Sequence, residues 1–150
     1  MIAVANTRFG RLGVESDGDH IVALHWDATP RGAGSALLAE AVAQLEAYNA
    51  GKLEEFDLPL APAGSDFQKQ VYDAMQAIPY GETLTYGEIA KALGVPAQPV
   101  GQACGANPIP VIIPCHRVLS KNGIGGFSGA GGVEGKIALL KHENGFPFLL

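Results

Sequence analysis

Asn107-Pro108-Ile109-Pro110-Val111-Ile112-Ile113-Pro114-Cys115-His116-Arg117-Val118 is the stretch on which the reading of this chain turns. An apolar run, Val111–Ile113, delivers a cysteine followed directly by a histidine. A thiol becomes a strong nucleophile when a base takes its proton, and imidazole is the side chain best suited to that near neutral pH. Most free cysteines are only small buried hydrophobes, so the pair must be judged by its setting. The proline-bounded run reads as extended and buried. Burial would shield the thiol from side reactions but raise its pKa, so a base is needed. Adjacent side chains on an extended segment point to opposite sides, and direct contact between Cys115 and His116 is therefore not expected.

Working outward, the segment before this stretch reads as three short helices. Ser65-x-x-Gln68 is a capping box, followed by Phe67, Val71 and Met75 at fourfold spacing, and Pro79-Tyr80-Gly81 ends that helix. A second capping box, Thr85-x-x-Glu88, opens a helix through Ile89, Ala90 and Leu93 that stops at Gly94-Val95-Pro96. A third, roughly Gln98 to Gly105, would bury Val100, Ala103 and Cys104. Two short helices joined by a tight glycine turn form a helix-turn-helix pattern, although most such pairs in small domains are simply packing.

The first part of the chain has a different texture. Residues 2–5 and 8–15 read as strands, and Asp17-Gly18 turns into a strand Ile21–Trp26. Ser35 is a candidate N-cap for a helix carrying Leu38, Ala41, Val42, Leu45 and Tyr48 to about Asn49. A further strand is expected over Phe56–Leu60. The breaker Ala61-Pro62-Ala63-Gly64 then divides the chain into residues 1–63 and 64–150.

Composition bounds the function. With 47% hydrophobic and 17% charged residues in 150, the chain is globular and long enough for a real core. It has no membrane-length apolar run and no secretory signal at its start, which points to the cytoplasm. Two cysteines cannot build a disulfide framework, and the four histidines are scattered, so no metal is expected. Residues 1–63 hold four basic against nine acidic residues, and residues 64–150 six against six. A neutral second half would bind nucleic acid only with modest electrostatic help.

Four spaced motifs resemble those of the O6-alkylguanine-DNA alkyltransferases. The segment around Pro114-Cys115-His116-Arg117 is similar to the family's active-site segment. Phe67–Tyr72 and Ile78–Ala90 are similar to the first two helices of its DNA-binding domain. Gly126-Phe127-Ser128-Gly129 and Lys141-His142-Glu143-Asn144-Gly145 look like its pocket-closing loop and last helix. The resemblance is close from about Phe56 to Gly145 and weak before.

It implies an α/β chain in two parts: a small α+β domain with a ribonuclease H-like sheet, then a mainly helical, winged-helix-like domain carrying a helix-turn-helix. It also implies irreversible, stoichiometric transfer of the alkyl group of O6-alkylguanine (and of O4-alkylthymine) in DNA to the protein's own Cys115. Double-stranded DNA would be bound through the minor groove with the base flipped out, by a monomer that needs no cofactor.

The resemblance also assigns roles. Cys115 matches the nucleophile. His116 would act through a bound water and be oriented by Glu143, which in an arbitrary protein would be a solvated helix-end carboxylate. Tyr86, otherwise a surface tyrosine of a first helical turn, matches the donor to the leaving guanine; a phenol is neutral at pH 7 yet can donate as charge develops. Asn107, otherwise a turn former, matches the amide that ties the recognition helix to the active-site turn. Pro110, Val118, Phe127 and Ser128 would complete the substrate pocket, with the carbonyls of Val118 and Cys115 accepting from the guanine amino group. Arg117 would fix the turn by an ion pair or backbone contacts, and Thr85, Tyr86, Gln98 and Gly101 would face DNA.

The loop from Gly123 to Gly132 holds six glycines, which let backbone approach a ligand, but not in a nucleotide-phosphate order. The chain departs from the family at Gln98, where an arginine usually enters the duplex; glutamine can wedge but carries no charge. Pro99 is expected to restrict Gln98 to extended conformations. Two rival readings remain. One is a non-catalytic binder of alkylated DNA, although such relatives replace the cysteine. The other is a thiol hydrolase using Cys115, His116 and Glu143, which usually draws its histidine from a distant segment.

Overall fold

The alternation of the first residues becomes a three-stranded antiparallel meander. In the computed structural model, which describes residues 1–127, 129 and 132–144, β1 is Ile2–Thr7, β2 Gly10–Ser16 and β3 Ile21–Trp26, in the order β1-β2-β3. The β1–β2 turn falls at Arg8-Phe9, inside the segment expected as strand. Gly10 enters β2 at φ +113, a conformation that favours glycine. At the β2–β3 turn, Asp17 Oδ1 accepts the backbone N–H groups of Asp19 and His20 at 2.9 and 2.8 Å.

Ser35 caps α1, Ala36–Asn49, by accepting from Leu38 N–H at 3.2 Å. The helix packs on β1 and β2, burying Leu38, Ala41, Leu45 and Tyr48 with Leu12, Val14, Ile21 and Leu24. The strand expected over Phe56–Leu60 does not form; only Leu60 bridges Ile21. Pro59 has no N–H to give a ladder, and the backbone of Asp57 is occupied by the Gln44 amide, which bonds both its N–H and its C=O at 2.9 and 3.0 Å.

The chain falls into two compact units, Met1–Ala63 and Gly64–Leu150. In the second, α2 is Asp66–Gln76, α3 Tyr86–Leu93, α4 Ala97–Gly105 and α5 Gly132–His142. Both capping boxes close reciprocally, Ser65 with Gln68 and Thr85 with Glu88. Gly94, left-handed at φ +69, ends α3. The helices α3 and α4 pack on each other, and α2 packs on α4, which gives the helix-turn-helix. A parallel pair unforeseen from sequence, β4 (Leu84–Thr85) with β5 (Val118–Leu119), ties the start of α3 to the segment following Cys115. Among the described residues, no helix is long and apolar enough to cross a membrane.

Candidate active site

The turn that presents Cys115 is built by one asparagine and one strained valine. Asn107, just past α4, accepts Ile109 N–H on Oδ1 at 3.0 Å and donates from Nδ2 to Ile113 O at 2.8 Å. Inside this clamp, Ile113 N–H reaches Ile109 O at 2.8 Å. Val111 is driven to φ +73, which a β-branched residue adopts only under strain, and burial to 1% exposure holds it there.

Cys115–Arg117 is a 3₁₀ turn, which corrects the extended geometry expected there. Cys115 N–H turns back to Ile113 O at 2.8 Å and Arg117 N–H to Pro114 O at 3.0 Å. Proline supplies no N–H for a continuing strand, so the chain coils instead.

The coil sends three side chains to three places. His116 is fully buried, with Nε2 2.7 Å from Glu143 Oε2. Arg117 donates from Nε to Glu143 Oε1 at 2.8 Å, from Nη2 to Oε2 at 3.1 Å and from Nη1 to Ile78 O at 2.8 Å. Its guanidinium also lies 5.7 Å from the centre of the Tyr80 ring.

Burial alone would raise the Glu143 carboxyl, but the hydrogen bond from His116, with the hydrogen bonds and charge of Arg117, outweighs it and holds it down to about 2. Burial pushes the His116 imidazole below its ordinary value, and the raising influence of Glu143 does not overcome it. The result is an ionised carboxylate beside a neutral imidazole. A carboxylate can only accept, so the proton must sit on Nε2 and the lone pair on Nδ1. Nδ1 is the one buried side-chain nitrogen or oxygen without a hydrogen-bond partner among the described residues.

The third side chain, Cys115, faces a cavity of about 450 Å³. Tyr86 from α3 lines it too, with Gly101, Cys104 and Gly105 from α4 and Gly126 and Phe127 from the loop before α5. Burial raises the Cys115 thiol, while the Asn107 amide and the Lys136 charge pull it back. Burial, then the charges of Cys104 and Cys115, push the Tyr86 phenol up to about 12, so it keeps its proton. Gly125 must be glycine: at φ +75, a Cβ there would lie 3.1 Å from Ser120 N and 3.2 Å from Tyr86 Oη.

Lys136 escaped the sequence reading. Its side chain is fully buried, donating to Val118 O at 2.5 Å and Gly126 O at 3.1 Å, with Nζ 5.8 Å from the centre of the Tyr86 ring. Burial lowers its ammonium to about 8, against the raising influence of the two thiols. The signal was present: 136, 139, 140 and 143 share one helical face, and a lysine and a glutamate flank two buried leucines there. Cys104, read as helix packing, is buried and also walls the cavity.

Of the remaining expected residues, Pro110 and Val118 are buried outside that lining, and Val118 O already accepts from Lys136. Thr85 caps α3. Gln98 is exposed in the first turn of α4 and helical, not extended, because Pro99 occupies that same first turn, where no N–H is required. Ser128 lies outside the described residues. Among those residues, no group of three His, Cys, Asp or Glu could hold a metal ion.

Residues 66–145 match the DNA binding domain of 6-O-methylguanine DNA methyltransferase, and residues 1–62 match its ribonuclease-like domain. A methylated-DNA–protein-cysteine methyltransferase of Methanosarcina acetivorans is 54% identical over 107 residues, covering 69% of this chain and 67% of the relative. One of Mycolicibacterium paratuberculosis is 48% identical over 121 residues, covering 79% and 69%. The crystal structure of Mycobacterium tuberculosis OGT in complex with DNA superposes with a TM-score of 0.83 at 41% identity, covering 94% of this chain and 91% of that one.

Proposed function

The chain belongs to the 6-O-methylguanine DNA methyltransferase family, and from that premise we propose how its own residues carry the reaction. It repairs O6-methylguanine in DNA by direct reversal, moving the methyl group to one of its own cysteines. We assign Cys115 as that cysteine. The observation that carries the assignment is the His116 tautomer: an ionised Glu143 pins the proton on Nε2 and leaves a buried Nδ1 lone pair, on the residue next to a thiol that faces a cavity.

The Cys115 proton passes to Nδ1 through a bound water, since burial disfavours spontaneous ionisation. Sulfur then attacks the methyl carbon, the carbon–O6 bond breaks, and guanine leaves with the bonding pair. The Tyr86 phenol, neutral and on the cavity wall, donates to the ring of the departing base as charge builds there. Lys136 fastens the loop carrying Gly126 to β5 and sets a positive charge over the Tyr86 ring. The thioether formed is not a leaving group under these conditions, so each molecule acts once.

Reaching a base inside a duplex requires flipping it. We assign that task to α4, entering the minor groove with Gln98 at its exposed first turn and the open backbone of Gly101 against the cavity. O4-alkylthymine as a second substrate, action as a monomer without cofactor, and a cytoplasmic location complete the proposal.

Mixing the protein with a duplex containing O6-methylguanine should add one methyl to the peptide containing Cys115 and then stop. Cys115→Ser should accept none while binding the duplex as before, because a protonated alcohol is far less nucleophilic than a thiolate. A methyl on the serine variant would refute the assignment. No adduct on the parent protein would point to a non-catalytic binder, and turnover of acyl substrates to a thiol hydrolase.

A further inference from the structure

The cavity has two thiols in its wall, and the transfer reaction uses one. Cys104 on α4 is 5% exposed and Cys115 7%; they are the only two cysteines of the chain, and both line the same cavity. Lys136 lies close enough to influence the ionisation of both. The helix bearing Cys104 is also lightly tied. No side-chain hydrogen bond caps its start at Pro96, and Gly101 and Gly105 weaken its last turns. A disulfide tolerates only a narrow range of geometry, so closing the bridge draws on the freedom that Gly101 and Gly105 give to that part of the helix.

We propose that Cys104 is a resolving thiol: when a peroxide oxidises Cys115 to a sulfenic acid, Cys104 condenses with it, and the disulfide formed across the cavity switches transfer off reversibly. In the first step, Cys115 sulfur attacks a peroxide oxygen. The O–O bond breaks, the S–O bond forms, and the departing oxygen takes a proton to leave as water or an alcohol. In the second, Cys104 sulfur attacks Cys115 sulfur, the S–O bond breaks, and the hydroxyl leaves as water with the Cys104 proton. Two thiols lose two electrons and the peroxide gains them. The cavity, open to a base, admits an oxidant as small as a peroxide. Without a resolving thiol, a sulfenic acid proceeds to sulfinic and sulfonic acids, which thiol reductants do not reverse. A disulfide is returned by thiol exchange, the transient, regulatory use that disulfides have in reducing compartments.

The inference rests on the Cys115 assignment only for its effect on transfer; the bridge itself is read separately. The full chain is treated with hydrogen peroxide in the absence of DNA and digested with trypsin. No lysine or arginine lies between Cys104 and Cys115, so both fall in the one peptide Ala92–Arg117. That peptide should lose the mass of two hydrogens with no free thiol left, and dithiothreitol should restore the mass and the transfer activity of the same sample together. In Cys104→Ala and Cys104→Ser, the peptide should instead gain two or three oxygens, with activity, relative to each variant's own untreated sample, not restored. Over-oxidised Cys115 beside a free Cys104 in the parent would overturn the proposal, as would a disulfide between two chains, an unreactive Cys115, or equal recovery in parent and variants. If untreated protein accepts no methyl, the functional reading fails, while the peptide mass still decides the bridge.

Discussion

Glu143 sits at the point where stability and chemistry meet. Its oxygens hold three hydrogen bonds, one with the His116 imidazole and two with the Arg117 guanidinium, and its side chain is fully buried. Because its carboxyl falls from an ordinary 4.5 to about 2 on folding, its ionised form stabilises the fold at all pH above the ordinary value. That stabilisation is lost as pH falls from about 4.5 to 2. Glu143→Gln leaves Arg117 buried without its counter-charge, which typically costs about 3–5 kcal/mol. The difference in urea midpoint between parent and variant should be full at pH 7 and shrink through that acid window; a difference independent of pH would show that Glu143 is not ionised in the fold. Glutamine can also offer Nε2 a donor in place of an acceptor, so methyl transfer should slow by about 10- to 100-fold, the usual scale for losing a group that orients another. Tyr86→Phe tests the cavity wall itself: deleting one transition-state donor should slow transfer by roughly 10- to 1000-fold without unfolding α3. A rate within about twofold of the parent would mean that the leaving base takes its hydrogen bond elsewhere.

At the scale of elements, α4 carries the sharpest contrast between what the sequence discloses and what it hides. Its existence was legible because Val100, Ala103 and Cys104 recur on one face, and the capping boxes of α2 and α3 were legible because serine, threonine and their partners lie three residues apart. The conformation of Gln98 was not, since the rule against helix before proline fails in a first helical turn. Being helical and exposed, Gln98 projects from the start of α4, and Gln98→Arg should tighten duplex binding and speed repair of double-stranded substrate. The reaction with free O6-alkylguanine, where nothing is flipped, should stay unchanged. Equal effects on both substrates would place residue 98 in pocket shaping. Short and non-local features escaped the sequence altogether. A two-residue pairing such as β4 with β5 has no period to detect, and the 3₁₀ turn at Cys115 depends on a clamp from Asn107 to Ile113 that spacing does not announce. Lys136 was hidden for another reason: a lysine in a helix is normally a solvated surface residue, and only the buried neighbours on its own face mark it otherwise.

For the molecule as a whole, charge sets how it can meet DNA. The first unit carries four basic and nine acidic residues, a net −5. In the second, the folded structure withdraws Arg117, Lys136 and Glu143 into the interior. That leaves Lys69, Lys91, Lys121 and Lys141 exposed against Asp66, Asp73, Glu82, Glu88 and Glu134. An outer surface this close to balance cannot gather the duplex by long-range attraction, nor displace many counterions from it. On the proposed mode of binding, affinity comes from the fit of α4 and the cavity around a flipped base, which is largely insensitive to salt. Each neutralised phosphate contributes about −0.9 to the slope of log affinity against log salt. With so few exposed cations, the slope should be shallower than about −3, so raising salt from about 50 to 200 mM should weaken binding by less than about 60-fold. Anisotropy titrations with a methylated duplex over that range measure it directly. A slope steeper than about −5, equivalent to some six phosphates, would mean that the duplex is held by charge and not by fit. The Gln98→Arg variant then calibrates the measurement from within, since one added cation at the interface should steepen the slope by about one.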